Sequence, residues 1–242
     1  MKALDTSPRL AVFIDAENVG HTSYINLVCD KIASANLGTP VMKRAYGNFG
    51  QRPLDWTGPW TEKCRELGIE IVQQEHYVKG KGSADVRIVV DAMRLWLRRR
   101  KNRIGAFCFV SSDTDFRPLV DVLVAGNRKV YGFGREGTPP ALRDAYPDGF
   151  FSFERLRCET AEVRAIREIL RRRGDWMPVT ELLRELRGRI EIPHGFFLLP
   201  LLRSMPSVFE VESGPKQSYV DSRVQLLDAR VALVANCKTP QS

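Results

Sequence analysis

Short apolar runs alternate with segments of helical spacing from residue 9 to residue 153, and beyond residue 155 three helical runs and a hairpin follow. These two patterns predict an α/β fold: a mainly parallel sheet flanked by helices, followed by a small winged-helix domain. A third observation is compositional. With 242 residues, 43% of them hydrophobic, the chain can bury one large core or two smaller ones.

The elements follow in order. "RLAVFIDAENVG" opens with an apolar run, Leu10 to Ile14, and turns polar at once, as a buried parallel strand does at its carboxyl end. "HTSYINLVCDKIASAN" has helical spacing, and "LGTPVMKRAYGNF" reads as a loop and a strand. "LDWTGPWTEKCRELG" is a helix stopped by Gly68, and "IEIVQQEHYV" is the next strand. "SADVRIVVDAMRLWLRRRK" is helical, "IGAFCFVSS" a strand, "FRPLVDVLVAGN" a helix and "RKVYGFG" a strand. After "FFSFERLRCETA" come the helical runs "EVRAIREILRRRGD", "VTELLRELRGRI" and "GFFLLPLLRSM". "VFEVESGPKQSYVDS" then reads as two short strands around Gly214-Pro215. The expected domains are residues 9–155 and 162–222, with the tail after Ser222 left without an element.

Lys and Arg total 37 against 29 Asp and Glu, a formal charge of +8 that favours polyanionic partners. Five scattered cysteines without a C-x-x-C pair, and three histidines without metal-ligand spacing, argue against a disulfide framework and a zinc site. "MKALDTSPRL" lacks the apolar core of a signal peptide, and no stretch is apolar for long enough to span a bilayer. A cytoplasmic protein with no membrane association is expected.

Within this basic chain, acid gathers at strand ends. Ligands of an open parallel sheet bind outside the carboxyl ends of its strands. Asp15 directly follows the first strand, and Asp113 and Asp115 follow "AFCFV" in the same way. Glu17 and Asn18 stand just beyond Asp15, where they could orient it, and Ser111 belongs to the same "SSDTDF" stretch. Asp85 and Asp91 lie on one predicted helix, six residues and about 600° of rotation apart, so they cannot aim at one atom. Asp85, in the first turn, is the fourth acid, and Asp91 is the weaker candidate. Helix capping explains any one of these acids as well as function does. It is a poor account of all four at matched places. Four carboxylates in one cleft repel each other unless a divalent cation neutralises them, which implies Mg²⁺ or Mn²⁺ and the chemistry of a metal-dependent nuclease.

The stretches "AVFIDAENV", "KRAYGNF", "GIEIVQQEHYVKGKGSADVRIVVDAM", "FCFVSSDTDFRPLVDVLVAGNRKVYGFG" and "GTPPALRDAYPDGFFSFE" together resemble the NYN-domain proteins of the LabA group, in the PIN-like ribonuclease superfamily. The resemblance implies a Mg²⁺- or Mn²⁺-dependent ribonuclease fold with its acids at Asp15, Asp85, Asp113 and Asp115, and Asn18 as their accompanying Asn. It implies an ion held by Asp15, Asp113 and Asp85, and hydrolysis leaving a 5′-phosphate and a 3′-hydroxyl. Two departures concern loop shape: Glu17 stands where Asp is frequent, and "GKGSAD" replaces a loop closer to G-K-N-A-A-D. "MPVTELLRELRGRI", "GFFLLPLLRSMPSVFEV" and "SYVDS" are similar to an OST-HTH or LOTUS winged helix, which implies binding of RNA or of a protein partner.

Lys79 and Lys81, in the loop beside Asp85, and Arg98, Arg99 and Arg100, at a helix end, are the candidates for holding the backbone of single-stranded RNA. The ordinary reading of the arginines is compensation of the helix dipole. Tyr46, Phe49 and Trp56 could stack on unpaired bases. "GFGREG" precedes no clear phosphate-binding helix and is no dinucleotide loop. A non-catalytic RNA-binding regulator on the same fold is the main alternative. Phosphohydrolases of other folds are disfavoured: a haloacid-dehalogenase-type phosphatase would want D-x-D-x-T/V after the first strand, which "DAEN" lacks, and a Toprim-type enzyme would place a lone Glu there, where Asp15 stands.

Overall fold

The computed structural model describes residues 7–49, 54–74, 83–98, 103–191, 198–203, 205–206, 208–213 and 229–234. Lys79, Lys81, Arg99, Arg100 and the hairpin segment 218–222 lie outside these residues. Two units divide the chain, Met1–Leu156 and Arg157–Ser242.

In the first unit, β1 (Arg9–Asp15) leads through α1 (Ala16–Val19) and α2 (Ser23–Ser34) to β2 (Thr39–Gly47), and then through α3 (Leu54–Glu66) to β3 (Glu70–Gln73). The chain continues through α4 (Ser83–Trp96) to β4 (Ala106–Val110) and, by a 3₁₀ turn (Thr114–Phe116) and α5 (Arg117–Ala125), to β5 (Lys129–Gly134). A short α6 (Pro140–Arg143) precedes β6 (Phe150–Ser152), and α7 (Phe153–Cys158) follows it. The six strands lie in the order β3-β2-β1-β4-β5-β6, every pair parallel. Each parallel pair needs a crossover, which is why helices alternate with strands.

Strand alternation builds two cores. Leu10, Val12 and Ile14 of β1, with Ala106, Cys108 and Val110 of β4, face α2 through Ile25, Val28 and Ile32 and α3 through Trp60 and Cys64. Ala11, Phe13, Phe107 and Phe109 face the opposite way, towards Ile88, Ala92 and Leu95 of α4 and Leu119, Val120 and Leu123 of α5. On that side the Phe13 ring stacks against Phe109, at 5.3 Å between centroids, and Tyr46, at 6.1 Å. With both faces covered, β1 from Leu10 to Ile14 and β4 throughout must be apolar, and polar side chains follow at their carboxyl ends.

Successive strands run outward from β1 to β3 on one side and from β4 to β6 on the other. The direction reverses between β1 and β4. The helices that leave these two strands diverge to opposite faces, opening a crevice at their carboxyl ends.

The second unit has α8 (Ala161–Arg173), β7 (Met177–Pro178), α9 (Val179–Arg187), α10 (Leu198–Arg203), β8 (Phe209–Ser213) and β9 (Ala229–Leu233), with its sheet in the antiparallel order β7-β9-β8. Thr160 caps α8 by accepting from the Val163 N–H, and Gly174 ends it in the left-handed conformation, φ 74°. Val163, Ile166, Leu170, Leu182, Leu202, Phe209 and Val231 share its core. The sequence reading paired Phe209–Ser213 with residues 218–222. Residues 218–222 lie outside the described residues, and among those described Phe209–Ser213 pairs with Ala229–Leu233, the middle strand, beyond Ser222. Arg172 and Arg173 pair with Glu185 and Glu181 on α9 at 2.6 and 3.0 Å, so both are engaged within the unit. Among the described residues no helix is long and apolar enough to cross a membrane.

Candidate functional site

Asp15 is the last residue of β1, buried between β2 and β4 where that strand opens into α1. One carboxylate oxygen caps α1, accepting from the Asn18 N–H at 3.2 Å, and the other accepts from the Ser111 hydroxyl at 2.9 Å. Ser111, itself buried, follows β4, and its oxygen also accepts from the Asp113 N–H at 3.1 Å. Asp113 in turn caps the 3₁₀ turn, accepting from the Asp115 N–H at 2.9 Å. The Asn18 side-chain oxygen accepts from the Ser112 N–H at 2.8 Å. This ladder clamps the end of β1 to the end of β4 on either side of the crevice. Both roles considered from the sequence therefore meet in Asp15 and Asp113: they are helix caps, and they line one edge.

Asp85 approaches from the first turn of α4. Its carboxyl is pushed up to about 7, first by burial and then by the charges of Asp15, Asp113, Glu17 and Asp115. Burial likewise pushes Asp15 up to about 6, against the lowering effect of its bonds from Ser111 and Asn18, with Glu17 and Asp113 adding to the rise. Five acids from three separate segments therefore act on one another at this crevice. Asp115 is exposed at its rim, and Glu17 accepts the Asn48 N–H at 2.9 Å, tying α1 to the end of β2.

Asp91 is not among them. It is buried beneath α4 and accepts from the Tyr46 hydroxyl at 3.2 Å. It also pairs with Arg87 at 3.2 Å and with Arg44 and Arg94 at 3.4 Å each. The supporting role given to it from sequence is corrected to a structural one, since six helical residues turn it away from Asp85 and towards β2. Asp91→Asn is expected to lower stability by about 1–3 kcal/mol, less than most broken buried pairs cost because its arginines are partly solvated. Denaturant unfolding checks this. A variant as stable as the parent would return Asp91 to the site.

Tyr46 is fully buried and Phe49 nearly so, packed edge-on to Trp60 at 6.2 Å, so neither offers a face to a base. The side chain of Trp56 is outside the described residues. Arg98 is exposed just past the end of α4. Sequence reasoning passed over Ser112 and Arg135. The Arg135 N–H donates to the Ser112 hydroxyl oxygen at 2.9 Å, which joins the end of β5 to the same edge. The signal was the polar residue following each apolar strand, applied to β1 and β4 and not to β5.

Among the described residues no three His, Cys, Asp or Glu side chains stand close enough together to hold one metal ion as placed. The donor set is nonetheless the right kind. Its members are hard carboxylate oxygens, two of them shifted towards protonation by burial first and by neighbouring acids second, a shift that a divalent cation would oppose.

A six-stranded parallel sheet with acids at its switch point defines an α/β protein whose candidate site lies where such sheets bind their ligands. The NYN domain profile matches residues 9–154, and the chain belongs to that family, within the PIN-like nuclease superfamily. The crystal structure of a protein of unknown function from Vibrio parahaemolyticus is similar, 21% identical with a TM-score of 0.48, over 63% of this chain and 96% of that one. No curated protein matches.

Proposed function

We propose that the chain is a metal-dependent ribonuclease that hydrolyses RNA phosphodiester bonds at the end of β1 and β4, with Mg²⁺ or Mn²⁺ as cofactor. The observation that carries this is the convergence of Asp15, Asp113 and Asp85, from three separate elements of an NYN domain, on one crevice where burial and the neighbouring acids raise the proton affinity of Asp15 and Asp85. Asp15, Asp113 and Asp85 would hold the ion, which requires them to draw closer than they now stand. When bound, such an ion lowers the pKa of water and stabilises charge on a phosphodiester.

The protein's own contribution is positioning. Ser111 and the Asn18 N–H keep the Asp15 carboxylate aimed, and the Asp115 N–H does the same for Asp113, so neither has to be ordered when substrate arrives. Asp115, at the rim, acts beside them or on a second ion. Lys79, Lys81, Arg98, Arg99 and Arg100 are assigned to the backbone of single-stranded RNA.

The second unit is assigned as an OST-HTH- or LOTUS-like winged helix that binds RNA or a protein partner. Its order of helix, strand, two helices and two strands, and its sheet order β7-β9-β8, support that reading.

The test is cleavage of labelled single-stranded RNA by the full chain in Mn²⁺, in Mg²⁺ and with EDTA. Cleavage that needs the divalent ion and stops on chelation is expected. RNA binding without cleavage in either metal would replace this reading with the non-catalytic regulator.

A further inference from the structure

A crevice lined by five acids repels a polyanionic strand, so a ribonuclease working there needs cations and neutral donors close to the carboxylates. The loop after β5 offers them. Arg135 is exposed, and its backbone is held from several directions. Its N–H donates to Ser112 Oγ at 2.9 Å, and its carbonyl accepts from the Thr138 hydroxyl at 2.7 Å and the Thr138 N–H at 3.0 Å. The next N–H, of Glu136, donates to Glu154 at 2.8 Å. There is no slack beneath this loop: a Cβ on Gly134 would stand 2.8 Å from Ser112 Oγ and 2.9 Å from both Phe150 Cζ and Thr138 Oγ1.

From this seat the Arg135 guanidinium reaches back over α1, where Nη2 would be 3.5 Å from a Cβ placed on Gly20. Gly20 directly follows the helix that carries Glu17 and Asn18 and that Asp15 caps. The guanidinium has no hydrogen bond or ion pair to any described residue. Two more donors on the same edge are likewise unspent among the described residues. Ser112 Oγ accepts from Arg135, and its own proton has no acceptor. The Asn18 side chain uses its oxygen on the Ser112 N–H and leaves its amide protons unengaged.

We infer that Arg135, with the Ser112 hydroxyl and the Asn18 amide, forms a subsite that holds a backbone phosphate of the substrate strand beside the acidic crevice. A guanidinium suits this task because its planar fork meets two phosphate oxygens at once, and the pinned loop limits the entropy lost on binding. Glu136 and Glu154 keep the loop from being a general anion trap, and a flexible polyanion must present a phosphate to the guanidinium itself. The inference rests on the nuclease reading of the same crevice.

The experiment uses the full chain and a fluorescein-labelled single-stranded oligoribonucleotide. Affinity is measured against KCl concentration in an Asp113→Asn background, with Arg135, Arg135→Ala or Arg135→Lys. Cleavage in Mn²⁺ is measured with Asp113 intact. Arg135→Ala is expected to weaken binding about tenfold at low salt and to reduce the slope of log affinity against log salt by about one. It should lower kcat/KM by a similar factor. Arg135→Lys should recover the slope, with part of the affinity, and thermal melts should coincide for all three. Unchanged affinity, slope and kcat/KM in Arg135→Ala would overturn the subsite, while the nuclease reading would stand if Asp113→Asn alone is inactive. An inactive parent chain whose RNA binding still loses that slope in Arg135→Ala would overturn the nuclease reading and keep the phosphate contact.

Discussion

Asp113→Asn is expected to abolish Mn²⁺-dependent cleavage of single-stranded RNA, a loss exceeding the roughly hundredfold typical of outer partners of a metal site. Its melting temperature in metal-free buffer should match the parent's or exceed it. The two halves of this result come from different properties of one side chain. As a cap, Asp113 needs only an oxygen to accept from the Asp115 N–H, and an amide oxygen does this nearly as well. As a carboxylate it contributes charge to an edge where Asp15 and Asp85 already suffer from it, so its neutralisation relieves repulsion. A residue that served only as a cap would leave cleavage intact after the same change. Asp15→Asn should also inactivate, with a smaller margin of safety for the fold, because both of its oxygens are engaged. Equal cleavage by parent, Asp113→Asn and Asp15→Asn would remove these acids from the mechanism.

The second large effect is on stability against pH. Asp15 and Asp85 rise from an ordinary 3.8 to about 6 and about 7, so between those values the folded chain binds more protons than the unfolded one. Stability contributed by protonation is therefore complete below about 3.8 and is lost as pH rises through 6 and 7. For the deeply buried Asp15 the loss is about 2–3 kcal/mol. For the half-buried Asp85 the direction is the same and solvent screens the size. In EDTA, denaturant unfolding should thus give lower stability at pH 8 than at pH 5. Mn²⁺ should restore the difference at pH 8 and do little at pH 5, where protons compete for the same oxygens. Asp85→Asn should flatten the pH profile, gaining stability at pH 8 alone. A parent chain more stable at pH 8 than at pH 5 in EDTA would show that burial and neighbouring acids do not raise these carboxyls.

The sheet was legible because its central strands obey a local rule. β1 from Leu10 to Ile14 and all of β4 are buried on both faces, so each is apolar until its carboxyl end, which marks Asp15 and the "SSD" stretch without any three-dimensional information. Helical geometry separated Asp85 from Asp91 in the same way, through rotation per residue.

What depends on which strand lies beside which could not be read along the chain. Beside Arg87 and Arg94 on its own helix, Asp91 meets Arg44 and Tyr46 on β2, 47 and 45 residues away, a meeting that only the packing of α4 over β2 makes. β9 is five residues of modest apolarity that gain meaning from pairing with β8 across the intervening chain. Arg135 belongs beside Asn18 because β5 lies next to β4, which lies next to β1. The sequence by itself determined the alternation of elements and the acids at strand ends, since burial and periodicity act on neighbours in the chain. Only the tertiary structure decided which charges meet, because electrostatic interaction depends on distance in space, and the strand order sets that distance.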